Sequence, residues 1–155
     1  MPRQISILNI GGHPKDAILY AGGTMALHAA NGDRVCILTP THGLSHHVRA
    51  IDAIKRGEKV DVGALIEERK IEFTEAAAEL GVTDSRFLGY DGNVALPREE
   101  IINDIADVIG DVRPDVIVTH WPHDTVAGHS NATRMTLLAI EAAGGMRPDM
   151  RYAPH

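Results

Sequence analysis

Residues Ile5 to Gly23, ISILNIGGHPKDAILYAGG, constrain the fold more than any other stretch. An apolar, β-branched run stops at the pair Gly11-Gly12. His13, Pro14, Lys15 and Asp16 follow, and then a helical pattern opens with Ile18, Ala21, Met25 and Ala29 on one face. A buried strand that feeds a helix through a short glycine turn is the first half of a βαβ unit. In open α/β sheets ligands bind in the crevice beyond the carboxyl ends of the strands. His13 and Asp16, three residues apart at that mouth, are placed to reach one cation.

The rest of the chain repeats the alternation. Strands are expected over Gln4 to Ile10, Arg34 to Thr39, Ser85 to Leu88 and Asp115 to Thr119. Helices are expected over Ala17 to Ala30, Ala64 to Leu80 and Glu99 to Val112, each with an apolar stripe at helical spacing, and over His129 to Ala143. Asn31-Gly32 and Gly81 read as helix ends. Residues 41–61 read as a long polar loop with a short helix near Arg49 to Lys55, placed like a lid over a site. A turn is expected at Tyr90-Asp91-Gly92-Asn93, and Met146 to His155 forms no clear element. Strands alternating with helices predict a Rossmann-like, three-layer α/β/α fold with a mostly parallel sheet, as one domain over residues 1–155.

Composition excludes several function classes. A net charge of -6 argues against a nucleic-acid partner, which calls for a basic footprint. No segment approaches the ~18 consecutive apolar residues of a membrane span, and the N-terminus lacks a signal-peptide pattern. A cytoplasmic chain is the expectation. The single cysteine, Cys36, sits in an apolar run and reads as core filler. The dinucleotide fingerprint G-x-G-x-x-G is absent after the first strand, and the second ends in Thr39-Pro40-Thr41 without an acidic residue for a ribose.

Nine histidines are the remaining signal. His120, His123 and His129 cluster with Asp124 where the fourth strand is expected to end. If the first and fourth strands are neighbours, one of these histidines completes a His–Asp–His site with His13 and Asp16. His129, at a helix start, is the best placed. Catalytic zinc takes three such protein ligands and a water. Asp16 also reads as an N-cap, and each histidine alone reads as an ordinary surface residue.

Several segments together resemble the PIG-L/LmbE-like deacetylases. Gly12-His13-Pro14-Lys15-Asp16-Ala17 is similar to that family's A-H-P-D-D-E opening, followed by Gly22-Gly23-Thr24 and then Thr41-His42-Gly43. Arg69 lies in EERKIEFTEAAAELGV, which resembles R-x-x-E-x-x-x-A-x-x-x-L-G-V. Phe87-Leu88-Gly89-Tyr90-Asp91-Gly92 resembles F-L-G-Y-x-D, and Arg113-Pro114-Asp115-Val116-Ile117 resembles R-P-D-V-V. Asp124-Thr125-Val126-Ala127-Gly128-His129 falls on the D-x-H-P-D-H motif. The resemblance implies a zinc hydrolase that removes an N-acyl group, usually acetyl, from an amino-sugar conjugate or a related small molecule. It implies His13, Asp16 and His129 as ligands of Zn2+ or another divalent transition metal. Arg69 and His42 fall at positions that bind substrate or order the site.

Three departures stand out. The family's general base, the first Asp of its pair, is Lys15 here. The first His of its second motif is Val126, and the Asp between the two histidines is Gly128. Proton transfer would then pass from the Lys15 position to His123 or Asp124, or to His42, His46 or His47 of the long loop. A bound zinc still lowers the pKa of its water to about 7, and a positioned base typically adds about 10²- to 10⁴-fold. The alternative is a degenerate member that binds metal or a sugar-like ligand without turnover. Family members usually continue with further strands, so the chain reads as truncated at its C-terminus. An open sheet edge would favour a homo-oligomer.

Overall fold

The computed structural model describes residues 3–91 and 96–155. Its elements are β1 (Ser6–Ile10), α1 (Asp16–Ala30), β2 (Arg34–Thr41), a 3-10 turn (Leu44–His46), α2 (Val48–Lys55), α3 (Val62–Glu79), β3 (Asp84–Tyr90), α4 (Glu99–Val112), β4 (Val116–Val118) and α5 (Ala127–Gly144). The four strands form one parallel sheet in the order β3-β2-β1-β4. The expected neighbours β1 and β4 pair directly, Leu8 opposite Ile117. Gly92 and Asn93 of the expected turn lie outside the described residues.

The sequence of the two central strands explains the layers. Side chains alternate across a strand, so the apolar runs of β1 and β2 serve both faces at once. Leu8, Ile10, Cys36 and Leu38 face α4 and α5, against Ile101, Ile105, Ile109, Met135 and Ala139. Ile7, Val35 and Ile37 face the other way, against Met25 of α1 and Phe73 and Ala77 of α3. Burial pushes the Cys36 thiol up to about 12, which suits an inert core residue.

Element boundaries moved for local reasons. β2 continues past Pro40, because the missing N–H of that proline falls where the register against β3 shifts, between Thr39 and Thr41. α3 begins two residues early, because the Asp61 carboxylate accepts the Ala64 N–H at 3.0 Å and caps it. Residues 146–155 carry no regular element but lie against α4. Arg147 donates to Asp107 at 2.6 Å and to Asn103 Oδ1 at 2.9 Å. The His155 N–H donates to the Ala143 carbonyl at 3.0 Å. Among the described residues no helix is long and apolar enough to cross a membrane.

One ion-pair cluster clamps β3 to α4. Arg86 meets both oxygens of Asp84 (2.9 and 3.0 Å) and Oδ2 of Asp111 at 2.6 Å. The Arg86 hydrogen bonds hold the Asp84 carboxyl below its usual range, against an upward pull from partial burial. A depressed folded pKa gives stability that is present at neutral pH and lost as pH falls through that pKa. The thermal midpoint should therefore fall more steeply below about pH 4 in the wild type than in an Asp84→Asn variant. Parallel pH profiles of the two proteins would show that this clamp adds nothing.

Candidate metal centre

The site is built on the Gly11-Gly12 turn. The Gly11 N–H still donates to the Leu38 carbonyl at 3.0 Å, so the chain is held to the sheet until it turns. A Cβ on Gly11 would stand 2.8 Å from the backbone nitrogen of Ala17. Only glycine lets the head of α1 come this close to the strand end. The Asp16 N–H then donates to the His13 carbonyl at 3.0 Å and closes the turn.

Asp16 does not serve as the N-cap. That position belongs to Lys15, which makes no capping hydrogen bond. Asp16 is the first residue of α1, 1% exposed, and its carboxylate points back over the turn. Oδ2 accepts the His13 N–H at 2.8 Å and lies 2.9 Å from His13 Nδ1, 3.3 Å from His129 Nε2 and 3.4 Å from His120 Nε2. Burial alone would raise this carboxyl, but its His120 and His13 neighbours, with the His13 backbone N–H, outweigh that and hold the group well below the usual carboxylate range. Oδ1 is buried and has no hydrogen-bond partner among the described residues.

The protons around Asp16 do not suffice for its neighbours. His129 Nδ1 lies 3.0 Å from Asp124 Oδ2. An ionised carboxylate only accepts, so that ring nitrogen carries the proton. In the neutral ring Nε2 then presents a lone pair to the Asp16 carboxylate. His120 Nε2 accepts the Gly12 N–H at 2.8 Å, which occupies its one lone pair and leaves it no proton to give the Asp16 carboxylate. Acceptors facing acceptors, beside an orphaned buried oxygen, are a poor arrangement for a protein alone and a good one for a cation. The ligand atoms of His13, Asp16 and His129 lie within 4.8 Å of one another, and two imidazoles with a carboxylate suit a divalent transition metal. His120, Asp124 and His129 form a second such group that shares His129. Asp124 fixes the His129 tautomer as carboxylate partners of metal-binding histidines do.

Two cavities of about 510 Å³ each open on either side of this cluster and share Asp16, Tyr20, Val126 and His129. One runs under the mouths of β1 and β4, with His120 and Asp124 in its wall. The other is lined by His13, Pro14, Lys15, Gly43 and Arg69. His42 and His123 line neither. His42 is buried at the end of β2 with Asp91 at 4.0 Å; burial lowers its pKa against an upward pull from Asp91. His123 is exposed beside Trp121, their rings 5.9 Å apart. Val126 lines both cavities, and a Cβ on Gly128 would stand 3.1 Å from the His13 ring.

The structure sets His120 apart from the other candidate histidines and adds Tyr20. His120 stacks on His129, ring centroids 4.0 Å apart and 6° from parallel. Tyr20, 72% exposed, stands with its ring 6.4 Å from those of His120 and His129. Tyr20 is one helical turn beyond Asp16 and so on the same face of α1. That i, i+4 relation was the available sequence signal.

Comparison with known proteins bears on this geometry. The family model described as PIG-L: GlcNAc-PI de-N-acetylase matches residues 8–143. The chain is 35% identical to a 1D-myo-inositol 2-acetamido-2-deoxy-alpha-D-glucopyranoside deacetylase of Thermomonospora curvata, over 88% of the chain and 52% of that protein. The chain thus spans about half the length of the curated relatives it matches. Among solved structures it resembles the conserved protein TT1542 of Thermus thermophilus, with 28% identity and a TM-score of 0.75 over 97% of this chain and 62% of that one. The 4-carboxy-2-hydroxymuconate hydratase of Pseudomonas putida shares the fold, with 22% identity and a TM-score of 0.82 over 98% and 63%. With the matched region running from β1 through α5, the chain belongs to the PIG-L (GlcNAc-PI de-N-acetylase) family.

Proposed function

We propose that this chain carries the metal-binding half of an N-deacetylase site and hydrolyses the amide of a 2-acetamido sugar or a similar small molecule. One observation carries the reading: His13, Asp16 and His129 converge, with an orphaned carboxylate oxygen, between two cavities large enough for a sugar. The names of the relatives, deacetylases of an acetamido-sugar conjugate, support it. His13, Asp16 and His129 would hold a divalent ion, taken to be Zn2+. Such an ion supplies Lewis-acid polarisation of the amide carbonyl and makes water acidic near neutral pH.

The protein's own groups do the rest. Asp124 is a positioning residue that holds the His129 ring through Nδ1. Among the described residues Asp16 and Asp124 are the carboxylates that line the two cavities. Asp16 faces the imidazoles, so Asp124 is assigned the proton released on water attack and returns it to the amine nitrogen as the C–N bond breaks. Lys15, an ammonium at the family's base position, is not asked to accept a proton.

The test is direct. The purified protein should hold about one equivalent of metal by mass spectrometry, the number a three-ligand site takes. It should release amine from N-acetylated amino sugars and lose that activity on chelation. A protein that binds no metal after dialysis against zinc would overturn the proposal. Asp124→Asn should weaken metal affinity about 10- to 100-fold, as loss of a carboxylate partner does. Unaltered affinity would remove Asp124 from the positioning role.

A further inference from the structure

The two cavities differ in charge. Among the described residues, no lysine or arginine lines the one under β1 and β4. The other has both Lys15 and Arg69, and among the described residues Asp16 is the one carboxylate lining it. Asp16 Oδ2 is turned toward three imidazoles, within 3.4 Å of a nitrogen of each. Lys15 is exposed and has no ion-pair partner among the described residues. The Arg69 side chain is 29% exposed and touches Glu72 through Nη1 at 3.3 Å. Its Nε is buried without a hydrogen-bond partner. The same lysine and arginine also line a smaller adjoining cavity, so they are neighbours. In a chain of net charge -6, this puts two cations and an unfilled donor beside the metal-binding residues. A neutral sugar would leave Lys15 without a counter-charge and Arg69 with Glu72 alone, whereas an oxyanion answers both, the guanidinium by its planar fork and the lysine as a point charge.

We infer that this cavity selects substrates bearing an anionic group, a carboxylate or a phosphate, near the amide that is cleaved, with Lys15 and Arg69 as its specificity-determining residues. The inference rests on the deacetylase reading for the amide and on the cavity alone for the anion. Lysine at the base position then replaces a proton acceptor with a substrate anchor.

Three probes test it: N-acetylglucosamine, its 6-phosphate, and N-acetylmuramic acid, which carries a carboxylate. The wild type should prefer an anionic probe over the neutral one by about 10- to 100-fold in kcat/KM, the worth of one charge-assisted bond. Preference for the phosphate or for the carboxylate identifies the anion. Lys15→Met and Arg69→Gln should each collapse that ratio toward unity, and Lys15→Arg should restore it. Equal use of neutral and anionic probes overturns the inference. So does a parallel loss on all three in Lys15→Met, which would place Lys15 at the reacting centre. Calorimetric binding of the same probes separates the two claims. Charge-selective binding without turnover overturns the hydrolase reading and upholds the anion site. Turnover without charge selectivity does the reverse.

Discussion

An Asp16→Ala variant should retain its fold and lose both its metal and about 10³-fold or more in kcat/KM, the several kcal/mol that a Lewis acid supplies. The reason lies in how much one oxygen organises. Oδ2 holds the His13 backbone N–H and faces His13 Nδ1, His120 Nε2 and His129 Nε2 within 2.8–3.4 Å. In the proposed site, removing it would take one ligand and release the rings that would supply two more. The hydrophobic layers on either face of the sheet do not depend on it. Metal content, thermal midpoint and amine release on one preparation separate the effects. Full activity in a metal-free Asp16→Ala protein would remove the cluster from the chemistry.

A Gly11→Ala variant is expected to act through the backbone instead. Its added methyl meets the Ala17 nitrogen at 2.8 Å and the Asp16 Cβ at 3.1 Å. Main chain cannot swing aside as a flexible side chain does, so the head of α1 must move off the strand. Overpacking of this kind costs roughly 1–3 kcal/mol, with about 2–4 °C in Tm for each kcal/mol at this chain size. Because Asp16 rides on the displaced turn, metal affinity should fall more than stability does. Gly23→Ala is the control, since nothing lies within 4 Å of its added Cβ. Equal Tm and equal metal binding in the two variants would show that the close approach is not required.

Local signals were enough for much of this architecture. The apolar runs of β1 and β2 and the stripe of α4 depend on alternation and helical period, both visible along the chain. The pairing of β1 with β4 followed from doubly wound topology, and it brings residue 129 to residues 13 and 16. What stayed hidden is non-local. The placement of His120 depends on the Gly12 N–H, which reaches it across 108 residues. The cap at Asp61 and the register shift at Pro40 moved boundaries that period alone does not define. His42 and His123 carried the right chemistry in the sequence, yet neither lines the cavities beside Asp16.

Two helices start at this cluster: α1 at Asp16, and α5 at Ala127 with His129 in its first turn. Each helix start bears about half a positive elementary charge from its unpaired amide groups. A divalent ion held by His13, Asp16 and His129 would therefore sit against an opposing field. In the proposed hydrolysis, negative charge growing in the cleft would meet two fixed helix starts, with no side chain needing to move.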